Sequence, residues 1–454
     1  MELEVIILAA GQGTRMKSDK PKVLHQLAGR PMLEHVISTA QQLNANHIHI
    51  VYGHGGDQVK SCFTEWPLSW QCQQQQLGTG HAVQQALPAL ARDGHALILY
   101  GDVPLISLST LQELLSKVDD THMALLTTFM DDPSGYGRII RDAQQRVISI
   151  VEQKDCNPEQ LTVDEINTGI MALPARYLHE WLSKLTNDNA QGEYYLTDII
   201  EMAVKAGITV NAIVTDDPIE VSGINDKVQL QTMERVYQYR CAIELMRQGV
   251  TLADANRFEL RGECEVGKDV SIDINAILSG RVVIGNDVTI GPNVYLEDVE
   301  IGDEVEIFAN SVLQQAKIGR ASRIGPFARI RPDTELHENT HIGNFVEIKK
   351  STIAKGSKVN HLSYIGDSEI GSQVNIGAGT ITCNYDGANK FKTIIGDGAF
   401  IGSDTQLVAP VVVGKGATIG AGSTITKDTP AEKLTLSRSK QISIDNWQRP
   451  KKKS

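Results

Sequence analysis

The 454-residue sequence predicts an α/β sheet domain followed by a parallel β-helix. Three observations carry this. Through the first 225 or so residues, short apolar runs alternate with amphipathic stretches. Over residues 226–249 the apolar residues fall at helical spacing. From Val266 to Ile425 an aliphatic residue returns every six positions.

In the first part, residues 5–10, 47–52, 96–100, 124–129 and 169–173 read as strands, being short and rich in aliphatic side chains. Strands alternating with amphipathic segments form βαβ units, so a mainly parallel sheet covered by helices is expected. Ligands of such sheets sit beyond the carboxyl ends of the strands. The segment 226–249 carries Val228, Met233, Val236, Tyr237, Ile243 and Met246 and stops at Gly249, which reads as a helical arm joining two domains. The expected division is 1–225, a linker helix over 226–250, and 251–454.

The hexads open with Val266, Ile272, Leu278, Ile284, Ile290 and Leu296. Five-residue steps reset them to Ile301, Ile307 and Leu313, and again to Ile318, Ile324, Ile330, Leu336, Ile342 and Ile348. After an interruption they resume at Ile395, Ile401, Leu407, Val413, Ile419 and Ile425. A period of six fits neither a helix nor a half-buried strand and points to a solenoid of short strands. One aliphatic per hexad faces the axis, and Gly or small residues turn the corners, where φ > 0 is expected. Residues 383–393, containing Asn384-Tyr385-Asp386-Gly387, read as a loop leaving the coil, a common place for binding groups.

A net charge of −12 argues against a general nucleic-acid surface, so any phosphate site must be focal. The amino-terminal region shows no basic segment, long apolar stretch or cleavage signature, which predicts a cytosolic chain without membrane insertion. Six scattered cysteines without a Cys-x-x-Cys pair predict reduced thiols, mostly inert packing residues. The Lys-rich tail at 449–454 reads as a solvated terminus.

Two constellations carry chemistry. Strand 5–10 runs into Gly11-Gln12-Gly13-Thr14-Arg15-Met16, followed by Pro21-Lys22. Glycines there let backbone N–H groups approach a polyanion. This is neither a Walker loop nor the full dinucleotide fingerprint, since no Gly-Lys-Ser/Thr and no third spaced glycine follow. Strand 96–100 leads into Gly101-Asp102, placing a hard oxygen donor where Mg²⁺ would sit beside substrate phosphates. Among the hexads stand Arg331, Lys349, His361, Tyr364 and Asn375. Arg331 and Lys349 suit an anionic phosphate, and His361 suits proton transfer near neutral pH.

The segment 8–16 with Pro21-Lys22, then Leu77-Gly78-Thr79-Gly80, Tyr100-Gly101-Asp102, Gly135-Tyr136-Gly137-Arg138, Glu152-Gln153-Lys154-Asp155, Asn167-Thr168-Gly169 and Ile224-Asn225-Asp226 resemble, in order, the motifs of sugar-nucleotide pyrophosphorylases. With the hexad half attached, the whole chain resembles the bacterial bifunctional N-acetylglucosamine-1-phosphate uridyltransferases that are also glucosamine-1-phosphate N-acetyltransferases. The resemblance implies a Rossmann-like nucleotidyltransferase domain, a linker helix and a left-handed β-helix of hexapeptide repeats.

For the first domain it implies that Leu8, Ala9, Ala10, Gly11, Arg15 and Lys22 hold UTP, with Tyr100, Gly101 and Asp102 also at the substrate. Gln73, Gly78 and Thr79 would recognise uracil, and Gly137, Glu152 and Asn167 the sugar, while Asp102 and Asn225 coordinate Mg²⁺. For the second it implies that Arg331, Lys349, Tyr364 and Asn375 contact glucosamine 1-phosphate. His361 would accept the proton, and Ala378, Asn384, Tyr385, Ser403, Ala421 and Arg438 would meet acetyl-CoA. It further implies a homotrimer, with acetyl-CoA sites between neighbouring helices, and a product used in cell-wall synthesis. The alternatives are a single-activity sugar-1-phosphate nucleotidyltransferase with a structural or regulatory β-helix, and a β-helix hydratase binding zinc through His337, His341 and His361.

Overall fold

The computed structural model describes residues 2–53, 55–450 and 452; Lys451, Lys453 and Ser454 of the basic tail lie outside the described residues. The chain divides into two compact units, Met1–Tyr237 and Gln238–Ser454. The division falls inside the helix Lys227–Arg247, which lies between the expected positions 225 and 250.

In the first unit the main sheet runs, in spatial order, Thr209–Val214, His122–Phe129, Glu165–Pro174, His95–Tyr100, Leu3–Ala9, His47–Tyr52 and Ser69–Cys72. All neighbours pair in parallel except Glu165–Pro174, which is antiparallel to the strands on both its sides. Within Leu3–Ala9, Ile6 and Leu8 pack into the core on one face, while Val5 and Ile7 pack into the core on the other. Cover on both faces explains the unbroken aliphatic run. Six strands among the described residues were not expected: the two-residue pair Gln26–Leu27 and Arg30–Pro31, and Ser69–Cys72, Arg138–Arg141, Val147–Val151 and Thr209–Val214. Arg138–Arg141 and Val147–Val151 form an antiparallel hairpin off the main path.

The joining helix buries residues differently from its sequence pattern. Val228 is 76 % exposed, whereas Met233 packs with Leu27, Met32, Leu105 and Ile224. Farther along, Ala242 and Leu245 enter the core of the second unit. Each half buries against its own unit, so no single apolar stripe runs its length.

In the second unit, eleven short strands form one parallel ladder and fifteen belong to another. The hexad aliphatics from Ile272 onward are all buried, and Val266 at the start is partly buried. Partners in successive coils lie 17 or 18 residues apart, 25 apart across the loop and 16 apart at the last coil. The expected interruption between Ile348 and Ile395 is largely filled. Ile353, Val359, Ile365, Ile370 and Ile376 continue the buried series, with five-residue steps at Ile353 and Ile370 like those at Ile301 and Ile318. Thr382 follows at an inward position, its hydroxyl donating to Gly366 O (3.1 Å). Only residues 384–392 leave the coil, between strands Ile381–Cys383 and Thr393–Ile395.

The corners also differ from expectation. Many are non-glycine residues at positive φ, including Asp287, Asn293, Asn310, Asp333 and Asn339, and even Phe327, Phe345 and Leu362. Asn and Asp tolerate this conformation because their short polar side chains bond locally. Glycine after the inward aliphatic has another cause, close approach of the next coil. A Cβ on Gly285 would lie 2.7 Å from Asp303 N.

The six cysteines form no disulfide; Cys62 and Cys72 are exposed, and the other four are partly buried. Cys264 is partly buried, its thiol pushed up to about 12 by that burial and secondarily by Glu265. No helix among the described residues is long and apolar enough to cross a membrane.

Two substitutions test the stacking. Ile330→Ala removes a side chain with no exposed surface and is expected to cost about 2–5 kcal/mol. Gly285→Ala, at ordinary φ, is expected to destabilise by about 1–3 kcal/mol through overpacking. Urea unfolding followed by circular dichroism reads both; an unchanged midpoint for Gly285→Ala would show that the coils can separate to admit a methyl group.

Candidate active sites

In the first unit, three segments far apart in sequence meet at the carboxyl ends of adjacent strands. Gly101 N donates to Leu8 O (3.0 Å), which aligns the ends of Leu3–Ala9 and His95–Tyr100. Asp102 follows, and its carbonyl accepts from Ile224 N (2.9 Å), which brings Asn225 alongside. Lys22 joins the two side chains: its Nζ pairs with Asp102 Oδ2 and donates to Asn225 Oδ1 (3.2 Å). A carboxylate and an amide oxygen therefore converge on one cationic point. That is a hard-oxygen donor set of the kind a small divalent ion takes.

Leu8, Ala9, Ala10, Gly11, Lys22, Gln73, Gly78, Thr79, Tyr100 and Asp102 line one cavity. Gln76, Ala82, Val23 and Glu193 complete it, none of them singled out in the sequence. Gly101 is buried at the strand end, and Arg15 is exposed on the turn Thr14–Met16, outside the lining. The Tyr100 hydroxyl is held protonated by burial and by the charges of Asp102 and Glu152.

A separate hollow is lined by Glu152 with Gly135, Gln153, Lys154, Leu161 and Gln191. Asn167 N donates to Gly137 O (2.9 Å), and Thr197 Oγ1 donates to Glu152 Oε1 (3.3 Å). Burial raises the Glu152 carboxyl above its usual range, and the charges of Asp155, Asp198 and Glu193 add to this against the opposing Thr197 bond.

In the second unit, Arg331 Nη1 pairs with Glu347 Oε1 (2.7 Å), and Glu347 sits beside Tyr364 in the ladder. Lys349 is paired with Gly366 in the same ladder. The loop returns on itself, Phe391 N donating to Asn384 O (2.9 Å), and Asn384 Nδ2 is bonded to Asp367 Oδ2. This fold-back sets Lys390 against Lys349, whose ammonium lowers the proton affinity of Lys390. Two adjacent ammonium groups are what a phosphate dianion neutralises, and no motif or spacing singles out Lys390. Tyr385 is exposed, its hydroxyl donating to Gly387 O (2.6 Å).

His361 ends the strand Lys358–His361, and its ladder partner is Asn344. His361 Nδ1 lies 2.9 Å from Asn344 Oδ1. With the proton on Nδ1 donated to that oxygen, Nε2 keeps its lone pair. Asn375 belongs to the same sheet, two positions from Gly377. Ala378, Ser403 and Ala421 fall along one corner of successive coils: Asp404 N donates to Ala378 O (2.7 Å), Gly422 N to Ser403 O (2.8 Å), and Arg438 Nη1 to Ala421 O (2.9 Å).

The zinc reading of His337, His341 and His361 finds no support. Among the described residues no group of three or more His, Cys, Asp or Glu side chains is gathered to hold a metal. Burial, with the nearby charges of Arg323, Lys358 and His361, lowers the proton affinity of His341.

Residues 5–153 match the MobA-like NTP transferase domain, 392–427 the bacterial transferase hexapeptide (six repeats), and 260–336 the GMPPB C-terminal domain. The chain is 57 % identical to the Bifunctional protein GlmU of Methylococcus capsulatus, over 100 % of this chain and 98 % of that protein. It is 56 % identical to the protein of the same name from Marinobacter nauticus, over 99 % of each. The counterpart from Alkalilimnicola ehrlichii is 55 % identical, over 99 % of this chain and 96 % of its own.

The raised Glu152 carboxyl gives a signed expectation. A folded-state pKa above the unfolded value means that ionising Glu152 opposes folding. That penalty is absent below the unfolded pKa, near 4, and present in full once pH exceeds the folded value. Glu152→Gln, which can still accept from Thr197, is therefore expected to melt like the wild type at pH 4 and higher than it at pH 7. Equal melting temperatures at both pH values would contradict the burial argument.

Proposed function

Because the chain belongs to the family of bifunctional GlmU proteins, we infer that it is a two-activity enzyme of UDP-N-acetylglucosamine synthesis. It transfers acetyl from acetyl-CoA to glucosamine 1-phosphate, then uridyl from UTP to N-acetylglucosamine 1-phosphate, releasing pyrophosphate. The observation that carries the assignment is that each unit has its own polar constellation, Lys22 with Asp102 and Asn225 in one, His361 with Asn344 and paired lysines in the other. We assign uridyl transfer to residues 1–225 and acetyl transfer to residues 251–454.

In uridyl transfer the sugar phosphate is largely dianionic at pH 7, with a second pKa of about 6, and needs no side-chain base. Its oxygen attacks the α-phosphorus in line as pyrophosphate leaves. Lys22 stabilises the charge that accumulates, with the exposed Arg15 and the turn at Gly11 to Gly13 facing the distal phosphates. Asp102 and Asn225 would hold Mg²⁺, which supplies neutralisation of phosphate charge when bound. Gln73, Gly78 and Thr79 hold the base, and Gly137, Glu152 and Asn167 the sugar.

In acetyl transfer Arg331, Lys349 and Lys390 grip the 1-phosphate, with Tyr364 and Asn375 contacting the sugar phosphate. The amine attacks the thioester carbonyl and its proton passes to His361 Nε2, while the thiolate of coenzyme A leaves. Asn344 holds the ring in the tautomer that leaves Nε2 free. The corner formed by Ala378, Ser403, Ala421 and Arg438 receives acetyl-CoA, together with Asn384 and Tyr385. The assembly is a trimer, supported by the hexapeptide scaffold and by exposed Phe327, Phe345, Ile442, Ile444 and Trp447. It works in the cytoplasm.

Two variants separate the activities. Asp102→Ala is expected to lower uridyl transfer at least about 100-fold, the order of effect of lost transition-state charge stabilisation, and to leave acetyl transfer intact. His361→Ala is expected to lower acetyl transfer about 100-fold or more and to spare uridyl transfer. Thiol release and pyrophosphate release assays read the two; loss of both activities in either variant, with an unchanged melting curve, would refute the separation.

A further inference from the structure

Gln73 is 3 % exposed and lines the nucleotide cavity, so the way its amide is turned decides whether the cavity meets a donor or an acceptor. The Gly78 carbonyl settles the matter, with His81 Nδ1 beside it. Nε2 lies 3.2 Å from Gly78 O and 3.0 Å from His81 Nδ1. A carbonyl can only accept. Turning the amide over would place Oε1 against Gly78 O, two acceptors facing each other.

The Gly78 carbonyl is not free to adapt. Gly78 has φ +112°, and a Cβ there would lie 2.6 Å from Tyr194 O, so only glycine lets the chain pass. Tyr194 N donates to Leu77 O (2.8 Å) and Gly80 N to Tyr194 O (2.8 Å), which clamps the carbonyl from both sides. His81 stands on the first turn of the helix Thr79–Ala86, with its ring near that of Tyr194 (centroids 6.3 Å apart). Gln85 Nε2 donates to His81 O (3.0 Å) and lies 3.2 Å from His81 Nε2.

With one Nε2 hydrogen on Gly78 O and the other on His81 Nδ1, in the tautomer that carries the ring proton on Nε2, Gln73 Oε1 has no partner among the described residues, yet it is not among the polar atoms sealed from solvent. The buried amide thus offers the cavity a lone acceptor. We propose that His81, through Gln73, is a specificity-determining positioning residue that selects nucleobases presenting a ring N–H between two carbonyls. Uracil and thymine have this edge. Cytosine presents a bare ring nitrogen at the same point, so two acceptors would meet in a buried site. The inference rests on reading the cavity as the nucleotide site and adds the basis of its selectivity.

The test compares UTP, dTTP and CTP in pyrophosphate release with N-acetylglucosamine 1-phosphate, using the wild type and His81→Phe, a ring of similar size without the acceptor nitrogen. The wild type is expected to prefer UTP to CTP by at least about 100-fold in kcat/KM and to discriminate far less between UTP and dTTP. In His81→Phe the UTP-to-CTP preference is expected to fall about fivefold, the worth of one neutral hydrogen bond, with acetyl transfer unchanged as the control for folding. An unchanged preference in the variant overturns the role of His81. Equal use of UTP and CTP by the wild type overturns the fixed amide, whether or not the variant folds. Absence of pyrophosphate release from every nucleotide would instead defeat the reading of the cavity itself.

Discussion

Stacking of one coil upon the next, at the spacing of a parallel strand ladder, is the constraint on which the second unit depends. Strands about 4.8 Å apart leave no room for side chains between coils at the turn after each inward aliphatic. Gly285 shows the consequence, since a methyl group there would reach the backbone of the following coil. The narrow axis admits one aliphatic per hexad, so stability is spread over many small contributions between neighbouring coils. Outward positions are correspondingly free to carry chemistry. Arg331, Lys349 and His361 stand there, each tied to a neighbour one coil away or to the loop that folds back.

The first unit meets a different constraint. Its sheet is covered on both faces, so polar groups can gather only where strands end. Lys22 is the consequence that matters most. Its ammonium lies between Asp102 and Asn225, side chains brought together from the end of a central strand and from the approach to the joining helix. A partly buried cluster of this kind keeps its charges in a low dielectric, where phosphate groups feel them strongly. Glu152 illustrates the opposite sign, a carboxyl held toward its neutral form by burial first and by neighbouring carboxylates second.

Legibility followed the length and regularity of each signal. The hexads are readable because the period repeats many times, yet the coils around Ile353, Val359, Ile365 and Ile370 fall in the expected interruption, because Thr382 replaces the next inward aliphatic and the loop at 384–392 follows. Ser69–Cys72 and Arg138–Arg141 escaped notice, being four residues each and only partly apolar. The joining helix was legible as a helix, but its buried face was not, because its halves pack in different units. At the sites, glycine turns and strand-end carboxylates announced themselves. Asn344, Lys390 and His81 did not, since each matters only through a partner 17, 41 or 8 residues away.

What the sequence determined by itself was periodicity and chemistry: a six-residue repeat that only a solenoid satisfies, aliphatic runs that only a covered sheet buries, and the residue types offered at each turn. Facing relations were decided by the tertiary structure. Ladder register puts Asn344 beside His361, the returning loop puts Lys390 beside Lys349, and the Gly78 carbonyl turns the amide of Gln73. The physical reason is that hydrophobic burial is nearly non-directional and can be read from pattern. Hydrogen bonds and charge contacts act over a few ångströms along set directions, so they exist only once the packed chain has fixed who stands next to whom.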